Sequence, residues 1–341
     1  MSERQDQELE TRKAKLAQWI ALGYQPYPVR FQRTHTANAL QAIGANVPTL
    51  EGDAVPPGEQ VAVSGRLMTI RPHGSLWFAT LQDQSGTVQL ALVQDVCPEA
   101  AWRLTQELDR GDIVGASGVL VRTKRGELTV LVTQLTPLAK CLEVLPEKWH
   151  GLKDVEARLR QRYVDLLMSP EVRQMFERKS AFWAAARHGL EGAGFMEVST
   201  PALEAVAGGA DATPFVTHHE ALDQDFYLRI SLELPLKRLM VGGFEKVYEI
   251  GKVFRNEGVD TEHLQDYDMC EFYWAYANYE DLMDFIERYY QAIVQATVGS
   301  LTTTFEGKQI DWSGTWPRCD YFELIKEISG VDLAGITDVA D

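Results

Sequence analysis

Between residues 60 and 140 apolar and polar positions alternate in five short runs: VAVSGRLMTI, LWFATLQD, TVQLALVQD, IVGASGVLVRT and LTVLVTQL. A period of two predicts strands with one face in a core. Turn signals separate the runs, DQSG at 83–86 and KRG at 124–126. A helix-like piece, PEAAWRLTQELDRG, follows the third strand. Upstream, residues 3–22 are strong helix formers with Leu9, Leu16 and Ile20 on roughly one face, and the prolines of YQPYPVRF end that helix. Downstream, CLEVLPEKWHGLKD breaks the pattern over 141–155 and reads as a linker. Two helical stretches follow, EARLRQRYVDLLMS and PEVRQMFERKSAFWAAARHGLEGAG. The chain then turns to strands and loops, a helix from 277, and a strand-like TTTFEGKQIDW.

Three strands, a helix and two strands are the layout of an OB-fold, a five-stranded barrel that binds oligonucleotides. The reading is therefore α+β, with an N-terminal helix and OB-fold over 1–140, the linker, and a second domain over 156–341. A length of 341 residues suits two domains, each with its own core. A content of 24% charged and 45% hydrophobic residues is that of a globular protein. No apolar run reaches the ~18 residues of a membrane span, and the polar start MSERQDQELETRKAK does not resemble a signal peptide. The four cysteines contain no C-x-x-C pair, so neither zinc nor a disulfide framework is expected. A cytoplasmic location without membrane contact is expected. The net charge of −16 excludes a whole-surface basic field but not a local basic face, such as TRKAK or RLRQRY.

The chemistry concentrates in KVFRNEGVDTEHLQDYDMCEFYWAY, residues 252–276. VYEIGKVF and MCEFYWAY alternate like antiparallel strands around a long loop. Arg255 and Glu257 share one parity, Glu271 and Tyr273 another. If these faces coincide, one concave surface holds a guanidinium, carboxylates and a phenol, with His263 and Tyr267 on the loop. The Arg fork suits phosphate or carboxylate, and Tyr267 suits stacking on a base. A surface ion-pair ladder on a hairpin accounts for the same pattern. AGGADATPF is a glycine-bearing loop where backbone can approach a ligand or simply turn, and Glu233 and Lys237 lie one helical turn apart.

GFMEVSTP resembles motif 1 of the class II aminoacyl-tRNA synthetases, and FRNEG…H…Y…E resembles motif 2. AGGADATPFVTHH, YLRISLELPLKRLMVGGFEKVYEIG, GRLMTIR, FATLQD, TVQL, RTKRGELT and HGLKDVEARLRQRYVDLL resemble the lysyl branch in particular, over nearly the whole chain. The resemblance implies ATP-dependent activation of lysine and its attachment to tRNA(Lys) through lysyl-adenylate. Arg255 would then bind the ATP α-phosphate and the lysine carboxylate. Glu257 would read the adenine amino group, His263 would reach the phosphates, and Tyr267, commonly Phe in the family, would stack on adenine. Gly209 and Glu233 would receive the α-ammonium, with Glu271 and Tyr273 lining the rest of the pocket. In the barrel, Phe78 and Gln89 would stack on and bond anticodon uridines, with Arg71 and Glu127 beside them. A homodimer through motif 1 is implied as well, with Phe176, Phe182 and Trp183 as contact candidates.

The loop HLQDYD replaces the family's commoner HNPEFT, and Glu262 stands where a basic residue is frequent. This departure bears on contacts with ATP phosphates or the tRNA acceptor end, not on the fold. Motif 3 is not found, and the single Asp-Arg pair is Asp109-Arg110 in the barrel. The expectation is therefore an incomplete catalytic domain that lacks the family's magnesium ligands and does not form lysyl-adenylate alone. Two other readings stay open: an aspartyl- or asparaginyl-type synthetase, whose pocket would need more cations, and a non-catalytic fragment that binds tRNA or a partner.

Overall fold

The computed structural model describes residues 3–50, 54–146, 154–260 and 262–333. Part of the expected linker, 147–153, lies outside the described residues. The chain divides into two compact units, Met1–Met168 and Ser169–Asp341. The division falls beyond the 141–155 segment.

The first unit opens with helix α1 (Glu3–Ala21) and a short helix α2 (Ala37–Ile43), capped by the Thr36 hydroxyl. Five strands follow: β1 (Gln60–His73), β2 (Leu76–Gln82), β3 (Thr87–Val93), β4 (Ile113–Arg122) and β5 (Leu128–Ala139). They close in the order β1-β2-β3-β5-β4, with helix α3 (Glu99–Gln106) between β3 and β4, as the alternation predicts. Val88, Leu90 and Leu92 point into the barrel core, whereas Ala91 and Val93 join a smaller outer cluster beside Phe78. Helices α4 (Val155–Arg160) and α5 (Arg162–Met168) complete the unit. The expected continuous helix breaks at Gln161, whose ψ of 49° leaves the helical region.

Helix α1 is anchored differently from its predicted face. Ile20 is exposed, and Trp19 is fully buried with its indole N–H on the Glu107 carbonyl. Arg12 (donating to the Arg110 and Cys141 carbonyls), Leu16 and Trp19 form the inward face instead. Polar anchors therefore set the helix's rotation, which a count of apolar positions does not capture. Behind Trp19 the Lys140 ammonium lies 4.9 Å from the indole ring and 2.7 and 2.9 Å from Asp109 and Asp112. Burial alone would push the Asp109 carboxyl up, but Lys140 and Lys15 hold it below its ordinary value.

The second unit begins with helix α6 (Pro170–Gly192), then β6 (Met196–Glu197), β7 (Leu203–Glu204), β8 (Val216–His219) and β9 (Gln224–Leu228). Helix α7 (Glu233–Val241) leads into β10 (Lys246–Phe254) and β11 (Asp266–Trp274). Helix α8 (Tyr279–Val298), the hairpin β12 (Thr302–Phe305) and β13 (Lys308–Asp311), and helix α9 (Tyr321–Ser329) follow. The strands form sheets ordered β11-β10-β6 and β7-β9-β8. β10 and β11 are antiparallel over nine residue pairs, from Lys246 opposite Trp274 to Phe254 opposite Asp266. The strand-like TTTFEGKQIDW is two strands, because Glu306 and Gly307 both take positive φ and reverse the chain. An aromatic core of Phe195, Tyr248, Phe272, Trp274, Phe285 and Tyr289 holds α6 and α8 to the sheet. Phe182 and Trp183, edge to face with each other, pack against this core, whereas Phe176 is exposed.

Replacing Lys140 with Met should leave the buried Asp112 carboxylate without its cation, while Asp109 keeps Lys15. Breaking a buried pair of this kind costs about 3–5 kcal/mol, so the melting temperature of the first unit should fall by several degrees in calorimetry. An unchanged transition would mean that the ammonium contributes nothing net.

Candidate functional site

The site in the second unit rests on a buried ion pair. Arg229, just beyond β9, donates to Glu249 on β10 at 2.7 Å, and both side chains are nearly inaccessible. Arg229 Nε also donates to the Lys252 carbonyl and Nη1 to the Thr200 carbonyl, while Glu249 Oε2 accepts from the Thr200 amide and hydroxyl. Three segments distant in sequence are thereby fixed. Gly251 passes so close over this guanidinium that a Cβ would collide with Nη2. None of Thr200, Arg229 or Glu249 stood out in the sequence, since their pairing depends on tertiary placement.

Above that pair the predicted pocket residues converge. Glu271 Oε1 accepts from the Ser231 hydroxyl at 2.8 Å and from the Leu232 amide at 2.9 Å. Ser231 in turn accepts the Glu233 amide at 3.0 Å, at the start of α7. Ser231 therefore joins the two predicted carboxylates; its place two residues before Glu233 is the only sequence cue to it. Gly209, at φ +86°, lies so near that a Cβ there would stand 3.0 Å from Glu233 Cβ and 3.2 Å from Ser231. Glu233 also pairs with Lys237 at 2.7 Å, and the Lys237 ammonium lies 5.9 Å from the Tyr273 ring centre. Burial, then the charges of Glu233 and Glu271, push the Tyr273 phenol up to about 12. Gly209, Glu233, Glu271 and Tyr273 thus share one neighbourhood.

Arg255 continues the β10–β11 ladder, its amide donating to the Gln265 carbonyl, and its Nε reaches the Ile230 carbonyl at 3.3 Å. The guanidinium stands 5.6 Å from the Tyr267 ring centre. The Asn256 amide bonds the Thr213 carbonyl, which ties the AGGADATPF loop to this segment. Glu257 follows, half-buried, its amide turned back to the Arg255 carbonyl. His263 is exposed and engaged by Asp260, whose carboxylate takes the ring Nδ1 at 2.7 Å and the amides of Glu262 and His263. Those amides and the ring hold Asp260 below the usual carboxylate range. Among the described residues no three His, Cys, Asp or Glu side chains converge as a metal site requires.

The barrel carries a second candidate surface. An open groove of about 850 Å³ is lined by Arg71, His73, Phe78, Gln89, Lys124 and Glu127, among others. All four predicted barrel residues meet there. Arg71 stands opposite Phe78 in the β1–β2 register, and its Nη2 donates to Gln89 Oε1 at 3.0 Å.

Tyr273 yields a pH test. Its folded value lies above the 10.0 of a free phenol, so the unfolded chain releases this proton first as pH rises. Stability should be lost between pH 10.0 and about 12. Urea unfolding of Tyr273→Phe should show a shallower loss over that interval than the wild type, and parallel curves would remove the phenol from the pocket.

The family described as tRNA synthetases class II (D, K and N) matches residues 154–337, and that described as OB-fold nucleic acid binding domain matches 61–138. Similar curated proteins include the lysine–tRNA ligase of Moorella thermoacetica, 46% identical over 330 residues that make up 97% of this chain and 66% of the relative. Those of Roseiflexus castenholzii and Nostoc punctiforme are 47% and 46% identical over 330 residues each, 96% and 94% of this chain, and 66% and 58% of the relatives. The chain thus spans somewhat less than two thirds of the length of these relatives. Its barrel, its paired carboxylates and its Arg-bearing hairpin lie within the matched segments, and the chain belongs to the class II tRNA synthetases of the D, K and N group.

Proposed function

We propose that this chain serves the ATP-dependent activation of lysine and its transfer to tRNA(Lys). One observation carries the reading: Glu233, Glu271 and Tyr273 converge beside Arg255. Two carboxylates and a phenol suit an amino acid with two ammonium groups. An aspartate or asparagine pocket would have to spend cations here, and the nearby Lys237 is already paired with Glu233. The names of the similar proteins favour the same substrate.

In this reading Glu233 takes the α-ammonium, with Gly209 leaving room for it. Glu271 uses Oε1 to hold Ser231 and Leu232 and turns Oε2 to the ligand. Tyr273 stays protonated and donates or accepts along the side chain. Arg255 binds the lysine carboxylate and the α-phosphate together, easing attack of one on the other by charge stabilisation. Tyr267 packs against Arg255 on one side and adenine on the other, and Glu257 accepts from the adenine amino group. His263 meets the phosphate chain once it is presented from the Asp260 turn. Magnesium accompanies ATP in this chemistry, and among the described residues no three His, Cys, Asp or Glu side chains gather to hold it. The barrel groove receives the anticodon, with Phe78 as stacking ring and Gln89 as base reader; such stacking contributes roughly 1–3 kcal/mol per base. We also propose self-association through 194–203, since Met196 and Leu203 there are half-exposed beside an open groove that includes Phe244. Phe182 and Trp183 pack against the unit's own core instead.

A close ammonium–carboxylate pair is worth about 4 kcal/mol at an effective dielectric near 20, before desolvation. Glu233→Gln should therefore weaken lysine binding sharply and ATP binding little in calorimetry. Equal losses for both ligands would remove Glu233 from the amino-acid pocket. For self-association, light scattering at micromolar concentration should show a species of twice the chain mass, and Met196→Glu should return it to a monomer; a monomeric wild type overturns the interface.

A further inference from the structure

The carboxylate assigned above to the substrate's α-ammonium already holds an ammonium. Lys237 Nζ donates to Glu233 Oε1 at 2.7 Å, from one turn further along α7. The same nitrogen lies 5.9 Å from the Tyr273 ring centre, within reach of the ring's negative face. Tyr273 in turn senses Glu233, whose charge is, after burial, the largest cause that raises its phenol. Lys237 thus brings a primary ammonium on a four-carbon stem to the carboxylate and the ring that the pocket would offer a lysine. Glu233 is fixed from behind, its amide on the Ser231 hydroxyl, and the missing side chain of Gly209 leaves it room. Lys237 is not fixed in this way. Its side chain is 54% exposed, against 33% for Glu233, so it can leave for water without any movement of the helix.

We propose that Lys237 is a tethered stand-in for the substrate, which competes with the α-ammonium of lysine for Glu233 and is released when lysine binds. The proposal rests on the reading of this pocket as the lysine site. With the pocket empty, the charges of Glu233 and Glu271 both bear on Tyr273, and Lys237 is the cation that bonds Glu233 there. A second ammonium arriving at Glu233 meets the charge of Lys237 at short range. The full attraction of the carboxylate is available only once the first ammonium withdraws. An i,i+4 pair with Glu on the N-terminal side forms readily, yet an exposed one contributes little stability. A placeholder needs this balance, firm enough to occupy the carboxylate and weak enough to be displaced. The fraction of chains ready for lysine is thereby reduced, and the apparent affinity falls by the same factor. A ligand without an α-ammonium enters no such contest. In this reading 6-aminohexanoate keeps a carboxylate for Arg255 and a terminal ammonium for the far end of the pocket, and leaves the Lys237–Glu233 pair in place.

Calorimetry on the whole chain, with lysine and with 6-aminohexanoate, tests the contest. Lys237→Met keeps most of the stem and removes the charge at a position where folding is not at stake. It should tighten lysine binding by roughly two- to fivefold, the range that an exposed pair supports. It should leave 6-aminohexanoate unchanged or weaker, because Glu233 then has no cation in that complex. Lys237→Arg keeps a cation beside Glu233 and should bind lysine no more tightly than the wild type. In a Glu233→Gln background Lys237→Met should no longer tighten lysine, since the effect passes through that carboxylate. Lysine binding that is unchanged or weakened in Lys237→Met overturns the contest. Equal tightening of both ligands, or a gain that survives in Glu233→Gln, overturns it as well. A wild type that binds no lysine overturns the reading of the pocket itself.

Discussion

The pocket of the second unit depends on burying the Arg229–Glu249 pair. Taking two charges out of water is expensive, and their mutual attraction offsets this only when further hydrogen bonds complete the geometry. Here they do: Thr200 contributes its amide, hydroxyl and carbonyl, and Lys252 its carbonyl. The consequence is positional. The Arg229 carbonyl accepts the Phe254 amide, and the next carbonyl, that of Ile230, receives Arg255 Nε. Ser231 and Leu232 then reach Glu271. Four consecutive residues, 229 to 232, thus convert one buried charge pair into the placement of a guanidinium and two carboxylates. A hydrophobic replacement of similar volume could match the stability but would carry none of these directions.

Much of this was legible in the chain and some was not, for identifiable reasons. The barrel was legible because each of its strands has one face in a dry core, so a period of two is imposed on the residues. The β10–β11 hairpin was legible for the same reason, and its parity argument placed Glu271 and Tyr273 on one face. Ser231 and Arg229 were not, because a polar residue buried against a distant partner looks like any other polar residue in a strand. Ile20 was read as an anchor and Trp19 was not, since the rotation of α1 is set by Arg12 and by the indole N–H as much as by apolar contact. The contact of the His263 ring with Asp260, three residues back, was not foreseen either, because a short acceptor in a turn engages such groups wherever the spacing allows.

Taken alone, the overall charge of −16 argues against a polyanionic ligand. Screening limits that argument, because in physiological salt a surface charge is felt over only about 8 Å. An RNA strand in the proposed anticodon groove would meet Arg71, His73, Lys124 and Arg125, with Glu127 as the acidic exception. Of these, Arg71 is partly committed to Gln89, so its charge serves the groove while its geometry serves the amide. The β4–β5 turn that carries Lys124 and Arg125 is braced by Arg122, whose guanidinium bonds the carbonyls of Gly126 and Gly44. In that reading the acids of a net-negative chain have a use: they disfavour RNA wherever acidic side chains predominate. In the proposed anticodon reading, such a composition would favour nucleic acid in the basic groove over the acidic remainder of the surface, so that specificity would begin with exclusion before any base is read.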